Sequence, residues 1–493
     1  RYIMTAQTIL PANTLSGGYD VANSLRFNDG SSDSLSINMG TSSSRRIWTF
    51  STWIKLTRDT SGDNMNIVGT GGVSDQNHIG FDGSSSVGNV RIALRHYNGD
   101  ASDVHIQSNM RLNDQSAWYH VVYSVDTTQG TDTNRVKIYV NGTQVTSLAT
   151  STYPSQNFDW DFFQNGSTTY IGRRGHSSAY LLDGYLAETV WIDGTQLDPT
   201  SFGEFDSDSG IWKPIDVSGL TFGNAGFYLE FKQSGTSQNS SGLGADTSGQ
   251  DNHFAVNNLT ALDQSTDTCT NNFATMNPLA VPPSNAPTFA EGNTKVSTNA
   301  ANANPVLSTI GVSQGKWYAE CKRISFDGGS ADDGFRIGFG TTHVENVNLI
   351  PPGISNSGHY FMIGSGIVYN GSTDLGDKAG DSNISDDGVV GIALDLDNNR
   401  ISWSFDGVWM TGSNAWSGSS PSSYVDIASG YTYFFLQTDG SNGRAYTAGW
   451  NFGGTSAFAI SSGNADANGH GNFEFAPPSG YFALCTKNLA EYG

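Results

Sequence analysis

The sequence predicts an all-β protein built as two antiparallel β-sandwiches in tandem, and three observations predict it. The stretch 389–409, VVGIALDLDNNRISWSFDGVW, alternates cleanly. Val390, Ile392, Leu394 and Leu396 fall on one side, a polar turn follows at Asp397, Asn398 and Asn399, and Ile401, Trp403 and Phe405 share a face on the return arm. Period-two alternation interrupted by Asn and Asp is the pattern of a half-buried hairpin. The same design occurs earlier, with Tyr119, Val121, Tyr123 and Val125 on one arm, Val136, Ile138 and Val140 on the other, and an Asn141-Gly142 corner. Composition is the third observation: 59 glycines, 12% aromatic and only 14% charged residues describe a folded, turn-rich chain and not a disordered one.

Taken in order, residues 1–22 read as an N-terminal arm broken by Pro11, Gly17 and Gly18, either a flexible tail or an anchor that orders on a neighbouring subunit. The first sandwich is expected over 23–232. Its strands are signalled by Ser24–Phe27, Leu35–Ile37, a strong run from Trp48 to Leu56, further runs near 90–97, 104–107 and 170–172, and 185–192 before the Asp193-Gly194 turn. Residues 233–284, rich in Gly and Ser and ending in Pro282-Pro283, read as a linker. The second sandwich is expected over 285–493, with strands opening at Lys316 and Phe335, the hairpin at its centre, and 450–453 and 477–484 closing it.

The net charge of −22 argues against nucleic-acid binding and against docking on anionic membranes. Three widely spaced cysteines, Cys269, Cys321 and Cys485, make no disulfide framework. No apolar run is long enough to span a bilayer, and the first residues lack the apolar core of a secretion signal. An outward-facing β protein of this kind is expected to leave a cell by a dedicated route or within a particle released by lysis.

The run WYHVVYSVDTTQGTDTNRVKIYVNG, with the closing segment LLDGYLAETVWIDGTQLDPTSFGEF, resembles the core of a laminin-G or concanavalin-like sandwich, roughly from Ser24 to Phe205. The Gly-Lys-Trp-Tyr-x-Glu strand at 315–320, the Ile-Gly-x-Gly strand at 337–340, the Asn-Phe-Gly strand at 451–453 and the PPSGYFAL ending resemble a SPRY-type sandwich. The series GGYDVANSLRFNDGSSDSLS, NRVKIYVNGTQV, LDGYLAETVWIDGTQLDPTSFGEF, GFYLEFK, DTCTNNFATMNPL and APPSGYFALCTKNL, in this order, is similar to large virion proteins of tailed, often marine, bacteriophages described as tail-fibre or receptor-binding. That resemblance implies a location on the virion exterior and other virion proteins as partners. It also implies a homo-oligomer, a trimer in the case of a fibre, and contact with a host-surface glycan or protein.

Motifs for chemistry are weak. Concanavalin-like glycosidases use a Glu-x-Asp-x-x-Glu strand; Glu204-Phe205-Asp206 begins it, but Ser209 stands at the sixth position and cannot serve as acid/base. The Gly-x-Ser-x-Gly spelling at 311–315 precedes a strand, whereas a nucleophile elbow precedes a helix. Asp395-x-Asp397-x-Asn399 has Arg400 where a calcium loop needs Gly, and reads as a solvated turn. No catalytic residue, metal ligand or cofactor is assigned; a structural calcium at the rim of the first sandwich is left open by the laminin-G resemblance. The candidate ligand-binding residues are Phe158, Asp159, Trp160 and Asp161 in the loop YPSQNFDWDFF (153–163), and Trp416 in the polar loop 411–423. Aromatic faces stack on sugar C–H surfaces and carboxylates accept hydroxyl hydrogen bonds, so their alternation suits a glycan. The loop is therefore expected to be exposed. The expected function is non-enzymatic: a tail fibre or spike, with a head-decoration protein or a secreted glycan-active enzyme or adhesin as alternatives.

Overall fold

The computed structural model describes residues 18–58, 64–72, 75–83, 89–99, 101–281, 286–298, 305–326, 335–341, 360–370, 373–377, 384, 387–411, 415–439 and 445–493. Most of the expected arm, residues 1–17, lies outside them. The chain divides into two units, one running through Asn271 and the other from Asn272 to Gly493. Each is a β-sandwich.

In the first unit one sheet runs in the order Thr143–Gln144, Val136–Val140, Trp118–Asp126, Ile47–Leu56, Gly184–Asp193, Ser24–Phe27, Gln264–Ser265, with Phe227–Leu229 also on Gly184–Asp193. The facing sheet runs Leu148–Thr152, Ala101–Ser108, Arg91–Asn98, Asp75–Asp82, Met65–Gly71, Thr168–Ile171, Ser34–Asn38, Ala255–Asn257. The strands of these two sheets pair antiparallel throughout their described residues. Phe50, Tyr123 and Ile138 from one sheet meet Ile79, Phe81 and Ile92 from the other in one continuous core. The Tyr123 hydroxyl crosses to the Gly80 and Ala93 carbonyls at 3.4 and 3.3 Å.

The expected linker is folded. Ala255–Asn257 and Gln264–Ser265 each add a strand to one sheet, and Leu243, Phe254 and Leu259 sit in the first core. Ala274 and Met276 belong to the core of the second unit. Low apolar content misled the reading, because the few large apolar residues Leu243, Phe254, Leu259, Phe273 and Met276 are buried and anchor the segment.

In the second unit one sheet runs Thr288–Ala290, Lys295–Ser297, Tyr446–Asn451, Lys316–Phe326, Val389–Asp395, Arg400–Phe405, Val408–Thr411, Ala415–Gly418. The other runs Val306–Val312, Tyr433–Asp439, Phe335–Thr341, Tyr360–Ile363, Ile367–Asn370, Thr373–Asp377. A short helix, Thr486–Tyr492, closes the chain. The hairpin pairs Ile392 with Trp403 and Leu394 with Ile401, the register its alternation predicts. It is not half-buried, however. Ser402, Ser404, Ala393 and Asp395 on its other face are buried too, because the segment carrying Phe473, Tyr481 and Ala483 lies over that side.

Glu320 fastens that covering segment. Fully buried on Lys316–Phe326, it accepts hydrogen bonds from the backbone N–H groups of Glu474 (2.9 Å) and Phe475 (2.7 Å), from Asn451 Nδ2 (3.0 Å) and from the Tyr318 hydroxyl (3.2 Å). Burial outweighs these bonds and raises its pKa from 4.5 to about 7. The folded state then holds a proton that the unfolded state has released between those values, so Glu320's contribution is complete below the lower value and declines as pH rises through the upper. Thermal stability of the second unit is expected to fall across this window, and Glu320→Gln to flatten the slope. An unchanged slope in the variant contradicts the assignment.

Candidate functional site

The site begins with a loop held from behind. Asp193 ends the strand Gly184–Asp193 and is buried; its carboxylate accepts from the backbone N–H groups of Ser43 (2.5 Å), Ser44 (3.1 Å) and Ala225 (3.0 Å). Ser44 Oγ accepts in turn from the N–H groups of Arg46 (3.2 Å) and Ile47 (3.1 Å). The turn is fixed by short polar side chains bonding to nearby backbone. Beside it the loop 153–163 is docked at several points. Trp160 N–H donates to the Arg45 carbonyl at 3.0 Å, and Arg45 Nε to the Trp160 carbonyl at 2.8 Å. Arg45 also pairs with Asp161, and Arg46 grips both oxygens of Asp159 at 2.8 and 3.3 Å. This grip holds the Asp159 carboxyl below its usual range and raises the Arg46 guanidinium.

Between these loops lies an open cleft of about 330 Å³. Thr41, Ser42, Ser43 and Ser44 form one wall, Gln164 and Asn165 another, with Arg45, Arg46 and Asp159 between. All of these side chains are hydrogen-bonding groups, and none is aromatic. The cleft is therefore suited to a hydroxyl- or amide-bearing ligand held by hydrogen bonds.

Of the five residues the sequence singled out, only Asp159 lines this cleft. Trp160 is 1% exposed, so the expected exposure of its ring is corrected: the ring belongs to the core, edge-on to Trp48 and Phe158 and stacked with Phe162. Phe158 is half-buried against the same core, and Asp161 is half-buried, receiving Arg45 and Gln164 Nε2. Trp416 belongs to the other unit, partly buried against Phe405 with ring centroids 6.0 Å apart. The alternation of the loop came from inward rings and outward carboxylates, the pattern of a chain lying on a sandwich edge. Sequence reasoning missed the Ser-rich wall and both arginines, for which Ser42-Ser43-Ser44-Arg45-Arg46 was the available signal.

The positions that suggested chemistry are occupied by other bonds. Glu204 and Asp206 both face Lys213, at 3.3 and 3.2 Å, in the hairpin of Gly203–Phe205 with Trp212–Pro214. Hydrogen bonds from Ser209 and Lys213 hold Asp206 down to about 2, so it is not poised to donate a proton. Asp395 is buried and not solvated as expected, receiving Asn398 (3.1 and 2.8 Å) and Arg400 (3.0 Å) to brace the turn. Ser313 is exposed in the turn before Lys316–Phe326.

Ser51 Oγ and His120 Nε2 lie 2.8 Å apart, a pairing no motif announced. Trp212 Nε1 donates to His120 Nδ1 at 2.9 Å, which leaves the ring proton on Nε2, pointing at Ser51. A base for Ser51 would need a free lone pair there. Burial also lowers the His120 pKa to about 3. The enclosed space beside this pair and Glu188 is about 10 Å³, room for at most one water. Glu188 itself has a φ of 48°, where the register breaks between Ala187 and Val190; burial raises its carboxyl to about 7 against hydrogen bonds from Tyr228 and Tyr19. No group of three or more His, Cys, Asp or Glu suited to a metal ion occurs among the described residues.

Residues 29–197 match the family model of the concanavalin A-like lectin/glucanases superfamily. No curated protein matches the chain. Among solved structures, the chain is similar to the SPRY domain of human HERC1, at 12% identity over 36% of this chain and 96% of that one, with a TM-score of 0.27. It is also similar to a native heptameric SAP-like pentraxin from Limulus polyphemus, at 16% identity over 36% of this chain and 80% of that one, with a TM-score of 0.27. Residues 29–197 of the first unit are thus similar to a concanavalin-like domain.

Proposed function

We propose that the chain is a non-enzymatic structural protein on the exterior of a bacteriophage particle, a tail fibre or spike, whose first sandwich binds a host-surface glycan or protein in the cleft beside Asp159. The observation that carries the binding role is the cleft itself: a concanavalin-like domain with an open recess lined wholly by hydrogen-bonding side chains. The particle setting rests on the order of segments along nearly the whole chain, from GGYDVANSLRF to APPSGYFALCTKNL. The absence of an assigned acid/base pair favours binding over turnover, and no cofactor enters this reading. A shallow, polar contact is weak alone; presentation in many copies, as in a trimeric fibre, multiplies it without new contacts.

A second reading, a particle-surface protein without receptor role, is favoured by the burial of Trp160, which makes the aromatic loop architectural. Purified particles test the setting. The protein is expected at fixed copy number on their outer surface in electron micrographs labelled with a specific antibody. Its recovery only from the particle-free supernatant contradicts the proposal.

A further inference from the structure

We propose that Lys55 and Asp267 condense to an intramolecular amide, a covalent clasp across the first sandwich. Lys55 lies on Ile47–Leu56, on the face away from the main core, between two aromatic cross-strand neighbours, Trp118 on one side and Tyr185 on the other. Asp267 follows the strand Gln264–Ser265 and is fixed at the backbone: its N–H donates to Ser265 Oγ at 3.0 Å, and its carbonyl accepts from Ser24 Oγ at 2.6 Å. Lys55 Nζ is 2.7 Å from Asp267 Oδ2, and both side chains are 1% exposed. Trp53, Trp118, Tyr185, Trp212 and Cys269 form a buried cluster on this face.

Lys and Asp are rarely buried this completely, and taking both charges out of water is expensive even when they pair. Condensation removes both charges. Within the low-dielectric pair a proton passes from the ammonium to the carboxylate, and the freed Nζ lone pair attacks Cγ. Trp118 Nε1 donates to Asp267 Oδ1 at 3.1 Å, where negative charge develops as the tetrahedral carbon forms. The C–Oδ2 bond then breaks. Oδ2 leaves as water with two of the three ammonium protons, and the third stays on the amide nitrogen. The step needs no oxidant and no second substrate. Holding amine and carboxyl in contact supplies part of the barrier lowering that amide formation needs in solution.

The neighbouring ion pair is an internal control. Arg26 Nη2 meets Asp263 at 2.8 Å with similar burial, but a guanidinium stays protonated and does not attack. Among the described residues one such clasp is therefore expected. It would close the chain from residue 55 to residue 267 into a covalent loop, restraining the unfolded state as a disulfide does. The three cysteines are buried and none is in a disulfide, so the clasp would be this unit's cross-link.

The intact protein, denatured and weighed by mass spectrometry, is expected to be lighter than its sequence by one water, and a protease digest to yield one branched peptide joining Lys55 to Asp267. Asp267→Asn, which keeps the shape of the site, is expected to lose one ammonia in place of water. Lys55→Arg is expected at full mass. A wild-type chain at full mass with separate Lys55 and Asp267 peptides overturns the proposal. So does a water loss that persists in Lys55→Arg, which would place the dehydration elsewhere, as in a cyclic imide at an Asp-Gly step.

Discussion

Trp160→Ala is expected to destabilise the first unit by about 3–5 kcal/mol, the range for truncating a large core aromatic. The ring touches Trp48, Phe158 and Phe162 and is 1% exposed, so removing it opens a cavity at the sandwich edge and loosens the loop that carries Asp159 and Asp161. Trp160→Phe separates packing from recognition. Among the described residues the indole N–H of Trp160 has no hydrogen-bond partner, so the phenyl ring loses area but leaves no acceptor unpaired. Denaturant unfolding should place Trp160→Phe much nearer the wild type than Trp160→Ala. If Trp160→Ala instead unfolds like the wild type and only binding is lost, the ring is a contact residue and its placement in the core is wrong.

Trp403→Ala is expected to cost the second unit about 3–5 kcal/mol for the same physical reason. Trp403 is fully buried, opposite Ile392 on the neighbouring strand and in one cluster with Ile401 and Met410. Its indole N–H also lacks a partner among the described residues, so Trp403→Phe should again be the milder change. A loss below about 1 kcal/mol for Trp403→Ala would mean that the strand register is wrong.

The register of that hairpin was legible because side-chain direction in a strand has a period of two, and Ile392, Leu394, Ile401 and Trp403 all kept it. The covering of its second face was not, because the residues responsible, Phe473, Tyr481 and Ala483, lie far along the chain in a segment with little regular structure. The strands Met65–Gly71 and Asp75–Asp82 escaped notice for a related reason. Their outward positions hold Asn66, Gly69, Gly80 and Asp82, and a bulge between Asn66 and Val68 breaks the alternation. At the candidate site, the aromatic–acidic pattern of 158–161 was visible, but which residues faced outward was not. That depended on Arg45 and Arg46 drawing the carboxylates to one side while Trp48 took the rings on the other. Asp193, which organises the facing wall, read as a turn residue and is also an acceptor for three backbone N–H groups from two segments.

The most direct test of the central claim, binding through the polar cleft, is binding of the purified full chain to an array of neutral and acidic glycans and to extracted host-surface proteins, before and after Arg46→Ala combined with Asn165→Ala. Asn165 is exposed, and Arg46 is half-buried with its ion pair to Asp159 at the surface, so the circular dichroism of the double variant should match the wild type and its melting temperature should shift only slightly. The account predicts that the wild type binds and that the double variant loses at least about tenfold in apparent affinity, roughly 1.4 kcal/mol. A wild type that binds while the folded double variant binds equally well, or a wild type that binds nothing on either surface, contradicts it.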